Sequence, residues 1–380
     1  MKRITIVLDG SADRKNTALG NKTPLEYAKT PNLDKLYKKS LSGTVKTIPD
    51  GMEVGSAVAN LSLLGFDPVQ YKGRAVIEAA GLNMPIDPDN LYIRVNMVNF
   101  EGKDFEEAHI KSYSAFDIPT EEAAPIAAEL KAAVYANDKY DLEYCGSFRN
   151  ILIVKDGAKL YPIDFMPAHD IIGQPIKPFI KTEGKEAPFF DLMKRSFDFL
   201  KGKDSKANGV WFWGASVMPD IKGDTKGRVA LSETLLMDGI TKISGIKNIG
   251  TKREGKIFEE FLKDKLENSI TALKEYDDIY VHIQETDDLS HELMPEEKAE
   301  AIEAFDKVFL PAFLDAIEGD YSIKLASDHF TFSDTGAHGE DPVPFLFYRS
   351  YEDANSEGRF TEEDCLKSGI NITAKELRDM

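Results

Sequence analysis

Only two of the 380 residues are cysteine, Cys145 and Cys365, which excludes a disulfide framework, and their isolation excludes a thiolate metal cluster. Reduced thiols are the expectation. No apolar run approaches the roughly 20 residues that a membrane helix needs, and the chain opens on a strand-like segment rather than a secretory leader. Both absences point to a cytoplasmic protein. Cations are scarce too: 47 Lys and Arg stand against 65 Asp and Glu, a net charge of −18. That balance argues against a nucleic-acid backbone or an anionic membrane as partner. An anionic substrate would need local cations. There is no Gly-x-Ser-x-Gly elbow, no Walker loop, no internal repeat and no low-complexity tract.

What is present, 42% apolar and 29% charged, suits a folded chain, and its length allows two domains or one domain carrying an insertion. Short apolar runs, Ile4 to Leu8, Ile279 to Ile283 and Ile323 to Ala326, have the character of central strands in a parallel sheet covered on both faces. Acidic and imidazole side chains follow them: Asp9, then Asp287 and His291, then Asp328 and His329, with His338 soon after. Open α/β sheets bind ligands beyond the carboxyl ends of their strands, so these distant residues are expected to meet at one sheet edge.

Between the runs, Thr30-Pro31 suggests a helix start with Thr30 as cap. A second helix is expected from Ser56, after Gly55, to an αL stop at Gly65. From 89 to 171 the texture changes: strand-like Tyr92 to Val98 and Phe148 to Val154 flank a helix from about Pro119, which predicts an inserted α+β cap. The main domain is then 1–88 with 172–380, the return falling near Gly173-Gln174-Pro175. Gly209 to Trp213 reads as a further strand of that domain, and Pro344 to Tyr348 as another. Ile302, Phe305, Phe309 and Phe313 lie at helical spacing on a helix from about Glu296, with a kink at Pro311.

Asp287 and His291, four residues apart on a helical turn, can face one ion. Any one Asp–His pair taken alone is more often a helix cap or a satisfied polar contact; the whole constellation reads as metal ligands. Mixed oxygen and nitrogen donors suit zinc, manganese or iron better than calcium. Two carboxylate–imidazole sets favour two ions, which together polarise a phosphoryl oxygen and activate a nucleophile. Ser56, at a helix N-terminus that attracts phosphate, is the candidate nucleophile. Its bland alternative is an N-cap serine.

These residues carry a family resemblance. Leu8-Asp9-Gly10, Thr30 to Asp34, Gly55-Ser56 with Ala59 to Gly65, Gly73-Arg74, Asp287 to His291, Asp328-His329, and His338 with Asp341 to Phe345 occur in order over nearly the whole chain. The set resembles the archaeal-type cofactor-independent phosphoglycerate mutases of the alkaline phosphatase superfamily. The resemblance implies a doubly wound, mostly parallel α/β sheet with the smaller cap inserted. It implies two divalent ions, manganese or zinc: Asp287, His291 and His338 hold one, while Asp9, Ser56, Asp328 and His329 hold the other. Ser56 becomes the phosphate acceptor in passing a phosphoryl group between the 3- and 2-positions of phosphoglycerate, and cap closure keeps water out. Arg74, Arg94 and Arg149 resemble substrate arginines, and Lys256, after Gly255, a lysine beside the transferring phosphate.

Three positions depart from the family pattern: Ser56-Ala57 stands for Ser-Asp, Phe116-Asp117 for Gly-His, and Ala337-His338-Gly339 for Thr-His-Thr. A carboxylate at Asp117 would suit a substrate amine. A homoserine kinase-like phosphotransferase of the same family is therefore one alternative, and a metal-dependent phosphatase or a non-catalytic binding protein are others. A sulfatase is disfavoured, since no Cys-x-Pro-x-Arg or Ser-x-Pro-x-Arg segment follows the first strand. The expected partner is a small phosphorylated substrate, with no nucleic acid and no membrane; the oligomeric state is open.

Overall fold

Alternation of short apolar runs with helices produces, in the computed structural model, an eight-stranded, mostly parallel sheet. The structure describes residues 1–221, 223–253 and 255–380. Its strand order is Asn371–Thr373, Leu41–Lys46, Val343–Arg349, Tyr321–Ala326, Lys2–Leu8, Asp278–Ile283, Arg228–Leu231 and Lys247–Asn248. Of these, Val343–Arg349 runs against its neighbours. The strand expected at Pro344 to Tyr348 is this one.

Helices form two packed groups, one on either side of the sheet. Ile4, Ile6 and Leu8 share a core with Leu33, Phe305, Phe309 and Phe313, while Ser56–Leu63 packs with Leu235–Ser244 and Ala374–Asp379. Burial of both faces explains why the central strands read as continuous apolar runs. Register then fixes the functional edge. Leu8 sits opposite Ile283 and Val7 opposite Ala326, so Asp9, the helix Glu285–His291 and Asp328 leave the sheet at one level.

Two local expectations needed correction. Thr30 makes no side-chain cap; its hydroxyl bonds Asp34, and Asp306 supplies the cap by accepting from Leu33 N at 2.6 Å and Asn32 N at 3.3 Å. A carboxylate distant in sequence thus satisfies the orphan N–H groups. The Pro311 kink takes the form of a π-helical turn at Phe305–Phe309 between the helices Pro295–Ala304 and Leu310–Asp315. Proline has no N–H to donate to the preceding turn.

The chain divides into Met1–Tyr71 with Ile221–Met380, and Lys72–Asp220. The second unit is larger than the expected 89–171. Its sheet is built on Leu91–Glu101, which pairs antiparallel with Arg149–Val154, His109–Ser112 and Gly209–Ser216. Gly209–Ser216 therefore belongs to this unit and not to the main sheet. At 173–175 the chain does not return: Gly173 N and Ile176 N bond Ile110 O and Ala108 O, holding the segment alongside the same sheet. Helix Ala187–Leu200 then adds Phe189, Phe190 and Phe197 to a core with Phe100, Phe165 and Trp211. An apolar run announces a strand, but its partner is a tertiary choice. Among the described residues no helix is long and apolar enough to cross a membrane, and both cysteines are free.

Candidate metal centre

Each expected donor is positioned by a different local device. Asp9 ends the strand Lys2–Leu8, and Gly10 follows in the left-handed region (φ +59°). A Cβ at Gly10 would lie 2.5 Å from Thr331 Oγ1 and 2.7 Å from Asp287 Oδ1, so only glycine lets these groups approach. Asp287 and His291 share one face of the helix Glu285–His291. The ribbon of Phe330–Thr331 with His338–Gly339 sets His338 opposite Thr331. Ser56 begins the helix Ser56–Leu63 after Gly55, where a Cβ would stand 3.4 Å from His338 Nδ1.

All seven residues converge. His291 Nε2 lies 3.3 Å from Asp287 Oδ2 and 3.1 Å from His338 Nε2, and His338 Nε2 lies 3.6 Å from Asp287 Oδ1. Around His329 Nε2 stand Ser56 Oγ at 3.0 Å, Asp328 Oδ2 at 3.4 Å and Asp9 Oδ1 at 3.5 Å. Donor atoms of Asp9, Asp328 and His329 fall within 4.8 Å of one another, as do those of Asp287, His329 and His338. His329 therefore stands between the two sets and within reach of both.

The electrostatics suit cations. Asp9 is fully buried with neither carboxylate oxygen hydrogen-bonded. Burial, then the charge of Asp328, raises its pKa well above the ordinary range. Burial acts on Asp287 in the same sense, yet hydrogen bonds from His291 and His338 override it and hold Asp287 low. Burial also lowers His329, favouring the neutral imidazole that ligates metal. A buried carboxylate without hydrogen bonds is costly in a folded protein, and a divalent ion bound by Asp9, Asp328 and His329 would remove that cost. The donors thus fit metal in number, type and charge.

The sequence singled out these seven residues and missed what holds them in place. His282, on Asp278–Ile283, places Nε2 2.9 Å from Asp9 Oδ2 without the alignment of a hydrogen bond, and its Nδ1 meets Ser232 Oγ at 3.1 Å. Asn60 donates to Ser56 O and Asp328 Oδ2, both at 2.9 Å, and accepts from Tyr280 at 2.6 Å. A histidine inside an apolar strand was the one visible signal. Asn60 and Tyr280 gave none, because an asparagine in a helix and a tyrosine in a strand are ordinary.

The Metalloenzyme superfamily profile matches residues 1–379. The chain is 33% identical to a Methanosarcina barkeri protein named 2,3-bisphosphoglycerate-independent phosphoglycerate mutase, covering 98% of this chain and 96% of that one. The chain belongs to this mutase family of the metalloenzymes. A Methanothermobacter thermautotrophicus relative named as the second such mutase is 30% identical over 95% of this chain and 92% of its own. Among solved structures, a Pyrococcus horikoshii protein superposes with TM-score 0.77 at 25% identity, covering 100% of this chain and 95% of the other. The Thermoplasma acidophilum cofactor-independent phosphoglycerate mutase shares the fold at TM-score 0.65 and 22% identity, with 100% and 98% covered. The fold is alkaline-phosphatase-like, and family membership implies bound divalent metal.

In this family member the candidate substrate residues Arg74, Arg94, Arg149 and Asp117 lie apart from the metal candidates in sequence, in the unit Lys72–Asp220. Arg94 Nε pairs with Glu78 Oε2 at 3.0 Å, its guanidinium 3.7 Å from the Trp213 ring centroid. Arg74 Nε shares the same carboxylate, reaching Oε1 at 2.7 Å. Arg149, on the strand next to that of Arg94, lies over Phe148. Asp117 is exposed at the end of three successive left-handed residues, Ala115, Phe116 and Asp117, held by hydrogen bonds from Phe116 N to Ser112 Oγ and from Asp117 N to Ser114 Oγ. Non-glycine residues pay for that conformation, and such outliers gather at functional sites. In the first unit, Lys256 is exposed and pairs with Asp264.

Proposed function

We propose that this protein is a metal-dependent phosphoglycerate mutase that interconverts 3-phosphoglycerate and 2-phosphoglycerate through a phosphoserine at Ser56. The observation that carries this reading is the Ser56 hydroxyl, 3.0 Å from His329 Nε2 at a helix N-terminus beside both donor sets. Asp287, His291 and His338 would hold one ion and Asp9, Ser56, Asp328 and His329 the other. Nitrogen and oxygen donors in this ratio favour manganese or zinc. When bound, the ions supply positive charge that polarises the phosphoryl group and lowers the proton affinity of adjacent hydroxyls.

Ser56 Oγ attacks phosphorus and gives up its proton, the bond from phosphorus to the 3-oxygen breaks, that oxygen takes up one proton, and glycerate is retained. Its 2-hydroxyl then attacks the phosphoserine and gives up its proton, the Oγ–phosphorus bond breaks, and Ser56 Oγ takes up a proton, so no atom is gained or lost. N–H groups of the first turn of Ser56–Leu63 face the anion, and Asn60 keeps that turn tied to Asp328. Arg74, Arg94 and Arg149 would bind the substrate anion in exchange for their present partners, and Lys256 would give up Asp264 for the phosphate.

Turnover of 3-phosphoglycerate by purified protein with added manganese tests the reading, with free phosphate measured alongside. Product without phosphate supports a mutase, phosphate release a phosphatase. One observation favours a second reading: the exposed Asp117 would meet an amine better than an anion. Phosphorylation of homoserine from ATP, with no mutase turnover, would establish it.

A further inference from the structure

At the amino-terminal end of the main sheet, opposite the metal donors, lies a second cleft of about 420 Å³. Arg3 and Asp9 stand at the two ends of one strand, about 20 Å apart at ~3.3 Å per residue. Five cationic side chains line the cleft, Arg3, Lys226, Arg228, Lys324 and Arg378, against three carboxylates, Asp224, Asp278 and Asp379. In a chain of net charge −18 such an excess runs against the composition.

The cations are held, yet they are poorly neutralised. Arg228 gives Nη2 to Leu64 O at 2.5 Å and Nη1 to Asp224 O at 3.4 Å; its Nε is buried without a hydrogen bond, 3.5 Å from Asp278 Oδ2. Lys324 Nζ donates to Arg378 O at 2.7 Å, and Arg378 Nη1 to Gly65 O at 2.8 Å. These acceptors are neutral carbonyls. Asp278 is divided between two guanidinium groups, since Arg3 and Arg228 are its register partners on the flanking strands and Arg3 Nη2 lies 3.2 Å from Oδ2. Arg378 Nε meets Asp379 at 3.0 Å. Burial brings Lys324 down to about 8, Asp278 and Asp379 pulling up against it and Arg3 and Arg378 pushing down. Fixed donors with unmatched charge in a cleft of ligand size make an anion site.

We propose that this cleft binds a small phosphate-bearing metabolite, its phosphate taken by Arg228, Lys324 and Arg378. The site is separate from the phosphoryl-transfer centre and independent of its assignment.

Pyrophosphate is the probe, titrated calorimetrically into full-length Ser56→Ala protein stripped of metal, at constant ionic strength. Saturable one-site binding is expected, weakened at least about 10-fold in a Lys226→Gln/Lys324→Gln variant of unchanged circular dichroism. Arg378→Gln provides a second variant at the chain's last helix, with the same expectation. Citrate at equal ionic strength separates phosphate from carboxylate recognition. The proposal is overturned by affinity unchanged in both variants, by heats that chloride alone reproduces, or by tighter binding of citrate than of pyrophosphate.

Discussion

The Thr331 hydroxyl donates to Asp287 Oδ1 at 2.7 Å and meets His329 Nδ1 at 3.1 Å, joining the two donor sets. A hydroxyl has one proton, so with Asp287 as acceptor the imidazole must be the donor. That fixes the proton on Nδ1 and leaves the Nε2 lone pair facing Ser56, Asp9 and Asp328. Such outer partners commonly set metal affinity by about 10–100-fold. Thr331→Val is therefore expected to weaken metal binding by about that factor, and Thr331→Ser to restore it. Metal titration reads the affinity; ¹⁵N spectra of the His329 ring read the tautomer, which a general loss of packing would not shift.

Ser56→Ala should remove turnover by about 10³-fold or more, as loss of a nucleophile does, while its fold is retained. Intact-mass measurement after incubation with 3-phosphoglycerate is expected to show a phosphoryl adduct in the parent protein and none in the variant. An adduct that persists in Ser56→Ala places the acceptor elsewhere.

Asp9 separates metal binding from stability. Because burial and Asp328 raise its pKa in the folded protein, the folded state holds a proton that the unfolded state releases. Stability of metal-free protein then falls as pH climbs from the ordinary carboxylate range through the raised value. Asp9→Asn should flatten that decline, raising Tm at neutral pH by about 2–4 °C per kcal/mol relieved, and should abolish tight metal binding. A lower Tm in the stripped variant contradicts the assignment.

A second titration lies away from the donors. Burial pushes Glu362 up to about 7 from an ordinary 4.5, against hydrogen bonds from Thr23 Oγ1 and Asp13 N that favour its charged form. The raised value means stability present below about 4.5 is lost as pH rises through about 7. Glu362 keeps partial solvent contact from a neighbouring cleft, so the loss is on the order of 1–2 kcal/mol. Unfolding free energies from urea titration at pH 5 and pH 8 should differ more in the parent protein than in Glu362→Gln, the excess being that amount, while the contribution of Asp9 remains in both.

Arg94 tests the second unit. Arg94→Lys keeps the charge but loses the planar stacking on Trp213 and the directed bond to Glu78. KM for 3-phosphoglycerate is expected to rise about 10-fold with metal affinity unchanged. An unaltered KM would remove Arg94 from substrate binding.

The sequence alone determined the strands Lys2–Leu8, Asp278–Ile283 and Tyr321–Ala326 and the carboxylates and imidazoles that follow them, because burial on both sheet faces demands uninterrupted apolar runs and the polar residues stand just where those runs end. It also placed Ser56 at a helix start, since Gly55 and the residues around it carry that signal locally. Tertiary structure decided the rest. Gly209–Ser216 joined the smaller sheet, Asp306 rather than Thr30 capped a helix, and Asn60, Tyr280, His282 and Thr331 became the supports of the donors. Each of those outcomes depends on which groups meet across hundreds of residues, and a one-dimensional pattern records what a residue is without recording what it faces.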